Sequence, residues 1–460
     1  MNKHVIPTLI GLCVLMSISV NAAAKEWFVA PGKSGTGTQQ VPFGEIEAAL
    51  LAAQPGDTVV VRAGTYREAV RTVRDGSDDA PITIRAERGH GSVVVTTQGT
   101  VLHVDHSFVV VDGLVIDGRY APRAAVKVSN GVQSFVMRHV EVRRSSRDCI
   151  TIGSAVDVLI EDSLIHHCLN PAEGRTDAHG IVASAVRGLT VRNTEIHTFS
   201  GDAIQLNRQH TPDAPAWNDV LIEGCRLWLE PLPREENGFA AGVVPGENAV
   251  DTKVTPGSPR ARITIRDTQA WGFGGGLIQK QAAFNLKEDI DATLDRVTVW
   301  DSEIAFRTRG SRTGPNGAWV RIQNAVVYDV QVGVRYEDDI AHLRVWNTTF
   351  GLGVGRAFQE ASSKQRRLDV RNVAILGAAL PPEAANTSNL ALRPEAFVNP
   401  SAHDYRLTAT SPAVDVGTAI PDVATDRLGV SRPRGLGYDV GAYERCVSAC
   451  ASAPDGSASR

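Results

Sequence analysis

One short pattern recurs along this chain, and the repetition limits the folds that the sequence can adopt. Each copy is an apolar run of alternating residues, as in 157–165, 188–196 and 262–270. The copies are 23 to 43 residues apart, and spacings in this range are typical of stacked structural repeats. Their central residues are Met137, Ile160, Val191, Ile222, Ile265, Leu294, Ile322, Val345 and Val370.

Two further features recur with each copy. Asn or Asp follows the central residue by two positions in six copies, and these residue types tolerate the backbone angles of tight turns. They are Asp162, Asn193, Asp267, Asn324, Asn347 and Asn372. A second short apolar run then follows, at 149–152, 180–183, 203–206, 249–252, 305–308 and 333–336. Short strands without intervening helices predict an all-β parallel β-helix, a solenoid. A β-sandwich or a propeller would not keep one register over nine copies.

The first part of the chain has the features of an export signal and a cap. Lys3, the apolar run 5–20 and the small residues 21–24 predict a signal peptide over 1–24, and hence a secreted or periplasmic protein. Apolar residues at helical spacing predict a short N-terminal capping helix over Glu45–Ala53. The predicted domain over 25–445 is a parallel β-helix with its caps, and 446–460 is a flexible tail.

Composition excludes several classes of partner. The net charge of -4 argues against nucleic acid, and no later stretch is long enough to span a membrane. Six cysteines in 460 residues are too few for a disulfide scaffold. Cys149, Cys168 and Cys225 look like single residues within repeats, whereas Cys446 and Cys450 are close enough to form a bridge. We expect a monomer.

The register also predicts which side chains face outward. The outward side chains form ladders, which are lines of equivalent positions on successive coils. One ladder consists of the residues directly after the inward residues of the second runs. A second ladder lies two residues further on, and a third lies two residues before the inward residues. The first is Thr151, Val182, Gln205, Asp251, Arg307 and Arg335; the second is Gly153, Ser184, Asn207, Lys253 and Arg309; the third is Asp148, His179, Asp202 and Asn248. Residues 276–281 fit between them, with Gln279 and Gln281 outward if Ile278 faces inward. The long segments Gln209–Ala216 and Leu229–Gly246 flank one coil and predict a groove wall.

Motifs at both ends resemble a known superfamily. Residues 42–43, 55–59 and 63–66 resemble the N-terminal cap, and 404–407, 411–417 and 438–444 the closing segment, of many secreted bacterial β-helix proteins. With the repeats, the resemblance to the right-handed parallel β-helix (pectate-lyase-like) superfamily covers about 27–444. It implies a right-handed coil and an action on long carbohydrate chains.

Some members of this superfamily are calcium-dependent polysaccharide lyases, and the resemblance implies a site on this chain. It makes Lys253 the base, with Arg307, Arg309 and His179 as further catalytic candidates. The calcium ligands would be Asp202, Glu247, Asn248 and Asp251. Proton removal beside a uronate carboxylate requires that this carboxylate be neutralised, and a lysine base must be neutral when it acts. We therefore predict a secreted lyase that cleaves an acidic polysaccharide by β-elimination.

Three alternatives stay open at the level of sequence. Asp148 and Asp202 on stacked coils could act as the acid and base of a glycoside hydrolase. The element 177–180 resembles the Asp-Pro-His element of mannuronan epimerases, so a uronate C5-epimerase is a further alternative. A non-catalytic carbohydrate-binding protein would use the same groove through Trp228, Trp271, Trp300 and Trp346.

Overall fold

The computed structural model describes residues 23–171, 177–208, 216–255, 258–276, 278–310, 317–362, 367–377 and 379–445. The signal peptide predicted over 1–24 falls almost wholly outside these residues, as do the tail and Cys446 and Cys450. Within the described ranges, no helix is both long and apolar enough to cross a membrane.

Three long parallel sheets make up the body of the protein, and successive coils add one strand to each sheet in turn. The fold is thus a right-handed parallel β-helix with a short N-terminal capping helix, as predicted. Sheet A has the strands Glu26–Val29, Thr58–Val61, Ile82–Ala86, Val109–Asp112, Gln133–Arg138, Val156–Glu161, Arg187–Arg192, Val220–Glu223, Ala261–Arg266, Ile290–Asp295, Ala318–Gln323, Ile340–Trp346 and Arg367–Arg371.

The other two sheets follow sheet A around each coil. Sheet B has the strands Gly64–Tyr66, Val93–Thr96, Leu114–Ala121, Glu141–Ser145, Leu164–Cys168, Glu195–Phe199, Arg226–Trp228, Gln269–Trp271, Thr298–Trp300, Val326–Val327, Thr349–Phe350, Ala374–Leu376 and Leu390–Leu392. Sheet C has the strands Val70–Arg71, Leu102–Val104, Val126–Val128, Ile150–Ile152, Ile181–Ser184, Ile204–Asn207, Val250–Thr252, Ala282–Lys287, Ser302–Arg309, Val330–Tyr336 and Arg356–Glu360.

The predicted register is confirmed strand by strand in sheet A. Each of the nine central residues pairs with the next one along the chain, from Met137 with Ile160 to Val345 with Val370. All nine are buried, and they belong to one continuous apolar core that runs from Val29 to Ala384. Because the coils above and below cover the apolar interior of each coil, this core needs no second layer of secondary structure.

The turn residues after sheet A have the special backbone angles that Asn and Asp tolerate. All six Asn and Asp residues adopt left-handed backbone angles, with φ between 44° and 54°. Copies on adjacent coils also bond to each other, since Asn193 Nδ2 donates to Asp162 Oδ1 over 3.2 Å. Gly224 replaces Asn in the next coil with φ of 65°, and a Cβ there would lie 2.4 Å from Asn193 Oδ1. A side chain at this position would therefore displace the Asn193 amide.

Both ends of the core are covered. The helix Ile46–Ala52 buries Ile46 and Leu50 over the first coil, and the Glu68 carboxylate accepts the amide of Ile46 at its start. At the other end come the 3-10 turns Pro382–Ala384, Pro394–Ala396 and Pro400–Ala402, and the antiparallel pair Phe397–Asn399 and Asp404–Leu407. A second apolar cluster, including Tyr405 and Val440, joins this closing segment to the last coils.

One covalent link departs from the sequence prediction. Cys149 and Cys168, predicted to be single residues, form a disulfide, whereas Cys225 is free and buried. Cys168 ends a sheet B strand and Cys149 precedes a sheet C strand of the preceding coil. The two positions are 19 residues apart, but stacking places their Cα atoms 5.5 Å from each other. The repeat register alone does not reveal that proximity, because it aligns equivalent positions and these two are not equivalent.

This link generates a testable prediction. Closing a segment of this length stabilises a folded chain by roughly 3 kcal/mol in the chain-entropy account of disulfides. The double variant Cys149→Ala/Cys168→Ala should lose stability by about that amount in urea unfolding. Reductant should lower the midpoint of the wild-type protein and of Cys225→Ala, but much less that of the double variant. An equal response of all three proteins would contradict the assignment.

Candidate active site

Sheet C presents a ladder of outward-facing polar side chains on consecutive coils. In register, Gln205 pairs with Asp251, Asp251 with Asn285, Asn285 with Arg307, and Arg307 with Arg335. Neighbouring strands are ~4.8 Å apart, so these side chains stack along one line. The register confirms the first ladder predicted from the sequence, which continues back to Val182 and Thr151. We call these residues the outer ladder.

Asn285 was missing from the predicted ladder because the sequence prediction put the strand of that coil in the wrong place. The described residues of 276–281 are not in a strand; the sheet C strand is Ala282–Lys287. Gln281 does not face outward but is buried, and its Nε2 donates to the Gly246 carbonyl over 2.7 Å. The alternation of buried Phe284 and Leu286 with polar neighbours is the sequence signal that was missed.

The corrected strand brings a second lysine to the site. Lys287 pairs in register with Arg309, and its Nζ lies 2.8 Å from Asp251 Oδ1. Lys253 Nζ lies 3.5 Å from the other oxygen of the same carboxylate, and Asn285 Nδ2 donates to Oδ1 over 2.9 Å. Asp251 thus lies between the side-chain amines of two lysines. Burial raises its pKa to about 6, the negative charge of Asp202 adds to this, and the two lysines oppose it.

Glu247 lies four residues earlier, at the corner between sheets B and C. Burial raises the pKa of its carboxyl group to about 8, and the charges of Asp202, Asp177 and Asp251 act in the same direction. Lys253 partly offsets them. No side chain or amide in the described part of the chain donates a hydrogen bond to this carboxylate. Glu247 is consequently the acidic group of the site that is most free to meet a ligand.

The remaining acidic and imidazole candidates belong to the corner itself. Asp202 is fully buried; Asn248 donates to its Oδ1 over 2.7 Å, and Gln205 donates to its Oδ2 over 2.9 Å. Asn248 Oδ1 in turn accepts the amide of Ala282. His179 is 2% exposed, and its Nδ1 accepts the amide of Asp202 over 2.8 Å. These side chains join the turns of adjacent coils, and His179 does not reach the surface that Lys253 faces.

The two arginines predicted as further catalytic candidates differ in their partners. Arg307 Nε lies 2.8 Å from Glu337 Oε1, and Arg335 contacts the same oxygen over 3.1 Å. Arg309, next to Lys287 on the neighbouring strand, has no hydrogen bond or ion pair with any residue that the structure describes. Of the two, Arg309 is the guanidinium available for a carboxylate ligand.

A cavity of about 980 Å³ lies along the corner between sheets B and C on the later coils. Its walls include Leu229 and Val244, from the two ends of the long segment 229–246, and Trp271 and Arg356 from later coils. This agrees with the predicted groove wall. Glu303 also lines the cavity and accepts the amide of Gln281, which contacts the Glu247 carbonyl. Gln281 and Glu303 thus connect the turn of Glu247 to one wall of the cavity.

The tryptophans proposed for carbohydrate binding form a stack along sheet B instead. Trp228 and Trp271 are 4.9 Å apart with their planes at 4°, and Trp271 and Trp300 are 4.6 Å apart. His197 covers the free face of Trp228, and Tyr328 lies beyond Trp300. Trp346 is buried elsewhere. Because sugars stack on exposed ring faces, these rings do not offer a binding platform.

The predicted calcium ligands can be tested against this geometry. Calcium takes six to eight oxygen ligands, and carboxylate and amide oxygens suit it chemically. However, both oxygens of Asp202 and the amide oxygen of Asn248 already accept buried hydrogen bonds, and Asp251 is paired with lysines. In the described ranges, no three His, Cys, Asp or Glu side chains converge to hold a metal. The four predicted residues as placed do not fit a calcium site.

Comparison with known proteins agrees with the fold. The family model described as Chondroitinase B matches residues 43–150, which is less than a quarter of the chain and lies before Asp251 and Lys253. No curated protein sequence matches significantly. The structure resembles that of the pectate lyase Pel9A at 15% identity, with a TM-score of 0.55 over 92% of this chain and 97% of that one.

Two further solved structures are similar over most of their lengths. A rhamnogalacturonan lyase matches at 12% identity with a TM-score of 0.53, over 89% of this chain and 99% of the other. XylC in complex with xylose matches at 11% identity with a TM-score of 0.50, over 91% and 98%. At these identities the likeness shows the fold, which is the predicted parallel β-helix.

The raised pKa of Glu247 predicts how stability depends on pH. A carboxyl group that holds its proton more tightly in the folded state stabilises the fold at low pH. That contribution should be lost as pH rises from the ordinary value of 4.5 to about 8. Asp251 should add a loss between 3.8 and about 6.

Melting temperatures across this range, with a chelator present, provide the measurement. Glu247→Gln should show a clearly smaller decrease between mildly acidic and mildly alkaline pH than the wild-type protein. Glu395→Gln, at an exposed position far along the chain, should behave like the wild type. If Glu247→Gln and the wild type lose stability in parallel, Glu247 does not have the raised pKa.

Proposed function

We propose that this protein is an exported polysaccharide lyase that cleaves an acidic, uronate-containing chain by β-elimination. One observation carries the proposal: two lysines contact the buried carboxylate of Asp251, and Arg309 on the next coil but one has a guanidinium without a partner among the described residues. The site combines a candidate base with a carboxylate-binding group on the open surface of a long solenoid. The lyase names among the similar structures and in the partial family match support the same class.

The reaction class explains why such an arrangement is useful. A base removes the proton from the carbon next to the uronate carboxyl group. A carbon–carbon double bond then forms, the bond from the neighbouring carbon to the glycosidic oxygen breaks, and that oxygen takes up a proton. The developing charge on the carboxylate must be stabilised by fixed cations. A planar guanidinium can hold a carboxylate through two parallel hydrogen bonds.

Lys253 suits the base better than Lys287. The side chain of Lys253 is 33% exposed and its Nζ is 3.5 Å from Asp251. That of Lys287 is 17% exposed and forms the closer, 2.8 Å contact. A base must reach the proton that it removes, so the more exposed and more loosely held amine is the better placed. Lys287 then neutralises Asp251 and fixes its orientation.

Arg309 is the carboxylate-binding group in this proposal. It lies one strand beyond Lys287, so its Cα is ~10 Å from that of Lys253, two strand spacings away. Long side chains bridge that separation easily. Arg307 contributes positive charge, but its guanidinium is already oriented by Glu337. No step of the mechanism requires His179, Asp202 or Asn248, which are buried in the corner.

The activity itself is tested with a panel of pectate, alginate and glycosaminoglycans. We expect ultraviolet absorbance from a newly formed unsaturated uronate with at least one of them, and the same rate after thorough chelation. Reducing ends without absorbance would instead show a hydrolase, and inverted stereochemistry without cleavage an epimerase. Activity that calcium restores after chelation, and that Glu247→Gln abolishes, would reinstate the predicted calcium site.

Lys253→Met tests the assignment of the base. Loss of a general base typically lowers turnover on the order of a hundredfold or more. We expect that loss in kcat with little change in melting temperature, because the Lys287–Asp251 pair is intact. The matched control is Lys127→Met, an exposed lysine that faces outward on the same sheet four strands earlier.

Lys287→Met separates the two lysines. Removing the closer partner of a buried carboxylate should lower the melting temperature. A folded Lys253→Met that turns over normally, together with a folded but inactive Lys287→Met, would exchange their roles. Arg309→Gln should raise KM more than it lowers kcat if its guanidinium binds substrate in the ground state.

A further inference from the structure

The segment 229–246, here called the strap, makes an unusually long connection between sheets B and C. It leaves the strand that ends at Trp228 and leads to the strand that begins at Val250. In the preceding coil, four residues, 200–203, make the same connection. The strap therefore has much more chain than the corner requires.

The extra chain folds back over the preceding coils. The Tyr120 hydroxyl donates to Glu236 over 2.5 Å, and Asn237 Nδ2 donates to the Leu169 carbonyl over 2.7 Å. Tyr120 is on the sheet B strand four coils before Trp228, a distance of ~19 Å along the axis. Leu232 and Phe239 form a small buried cluster with Leu169. The strap is thus a packed cover with its own apolar core.

The charges along the outer ladder also differ between the earlier and the later side of Asp251. On the earlier side of Asp251, the next three ladder residues are Gln205, Val182 and Thr151, all uncharged. Gln205 and Val182 are also buried although they face outward. On the later side the outer ladder continues with Asn285, Arg307 and Arg335, and the line two residues further on carries Lys287 and Arg309. Over the three coils on either side of Asp251, an anionic polymer would meet uncharged, mostly buried side chains in one direction and cations in the other.

We propose that the strap closes the groove on the side of the earlier coils, so that the protein acts on the ends of polysaccharide chains. This inference rests on the proposed function and adds the mode of cleavage to it. The substrate would extend from Lys253 toward Arg335 and end at the coil from which the strap leaves. Each event would then release a short product of fixed size.

The central part of the strap can be deleted without changing its two ends. The Leu232 amide donates to the Val243 carbonyl over 2.9 Å, so the two arms are already in contact there. Residues 233–242 can be replaced by two glycines without moving either arm. The cluster around Phe239 is separate from the main core, so the solenoid should stay folded, and circular dichroism and melting temperature verify this.

The experiment compares solution viscosity with the number of bonds cleaved, together with the sizes of early products. The wild-type protein should release one short product while viscosity stays high. The variant without 233–242 should produce mixed lengths and a several-fold earlier loss of viscosity. An early viscosity loss with mixed products from the wild type would overturn the inference, as would an identical product pattern from the folded variant.

A binding measurement separates this inference from the proposed function. With Lys253→Met, binding per unit mass of the polysaccharide should increase as the chains are shortened, because shorter chains have more ends. Binding that follows total mass would overturn chain-end recognition even if cleavage occurs. Conversely, a wild-type protein that binds in proportion to chain ends but forms no unsaturated product would contradict the proposed lyase activity. That result would still agree with a groove that is closed on one side.

Discussion

Backbone hydrogen bonding between parallel strands of successive coils is the constraint on which the whole structure depends. It forces residues at equivalent positions into lines, about 4.8 Å apart, along three faces. Inside, the lines make a core without a second layer. At the turns, Asn193 bonds to Asp162 in the coil before it. Outside, the same regularity aligns Asp251, Asn285 and Arg307, which are far apart in the sequence. The site is a local change of residue type within a ladder that the stacking of coils produces regardless of sequence.

Electrostatics gives that variation its chemical character. Asp251 and Glu247 are carboxyl groups in surroundings that raise their pKa, and the lysines beside Asp251 supply the compensating charge. Perturbed titratable groups that share one surface are the usual mark of a reactive site. Structural ion pairs also occur on this protein, for example between the fully buried Arg432 and Glu444 of the closing segment. The pair of Lys253 and Asp251 differs because its lysine is partly exposed.

The strap shows how a solenoid acquires a specific site without changing its body. Repeat proteins tolerate insertions at turns because each coil contacts only its neighbours. Here the insertion covers the earlier coils through Tyr120 and Leu169, and its ends line the corner cavity. The side of the solenoid that stays open is the side on which the ladder is cationic. If the proposed function holds, shape and charge thus favour one direction for a bound polysaccharide.

Periodicity alone predicted the parallel β-helix, the inward residues, the turn positions and most of the outer ladder, because stacking makes local pattern and three-dimensional position equivalent. The prediction was wrong where the pattern is interrupted. It assigned residues 276–281 to the sheet C position of one coil, whereas the strand there is Ala282–Lys287. The disulfide of Cys149 and Cys168 was also missed, because it joins positions that are not equivalent. Only the tertiary structure decided that Asp202, Asn248 and His179 are occupied by hydrogen bonds in the corner, and that Arg309 is unpaired among the described residues. The sequence gives the face on which a side chain lies, whereas burial and hydrogen-bond partners depend on how the long connections between strands fold over that face.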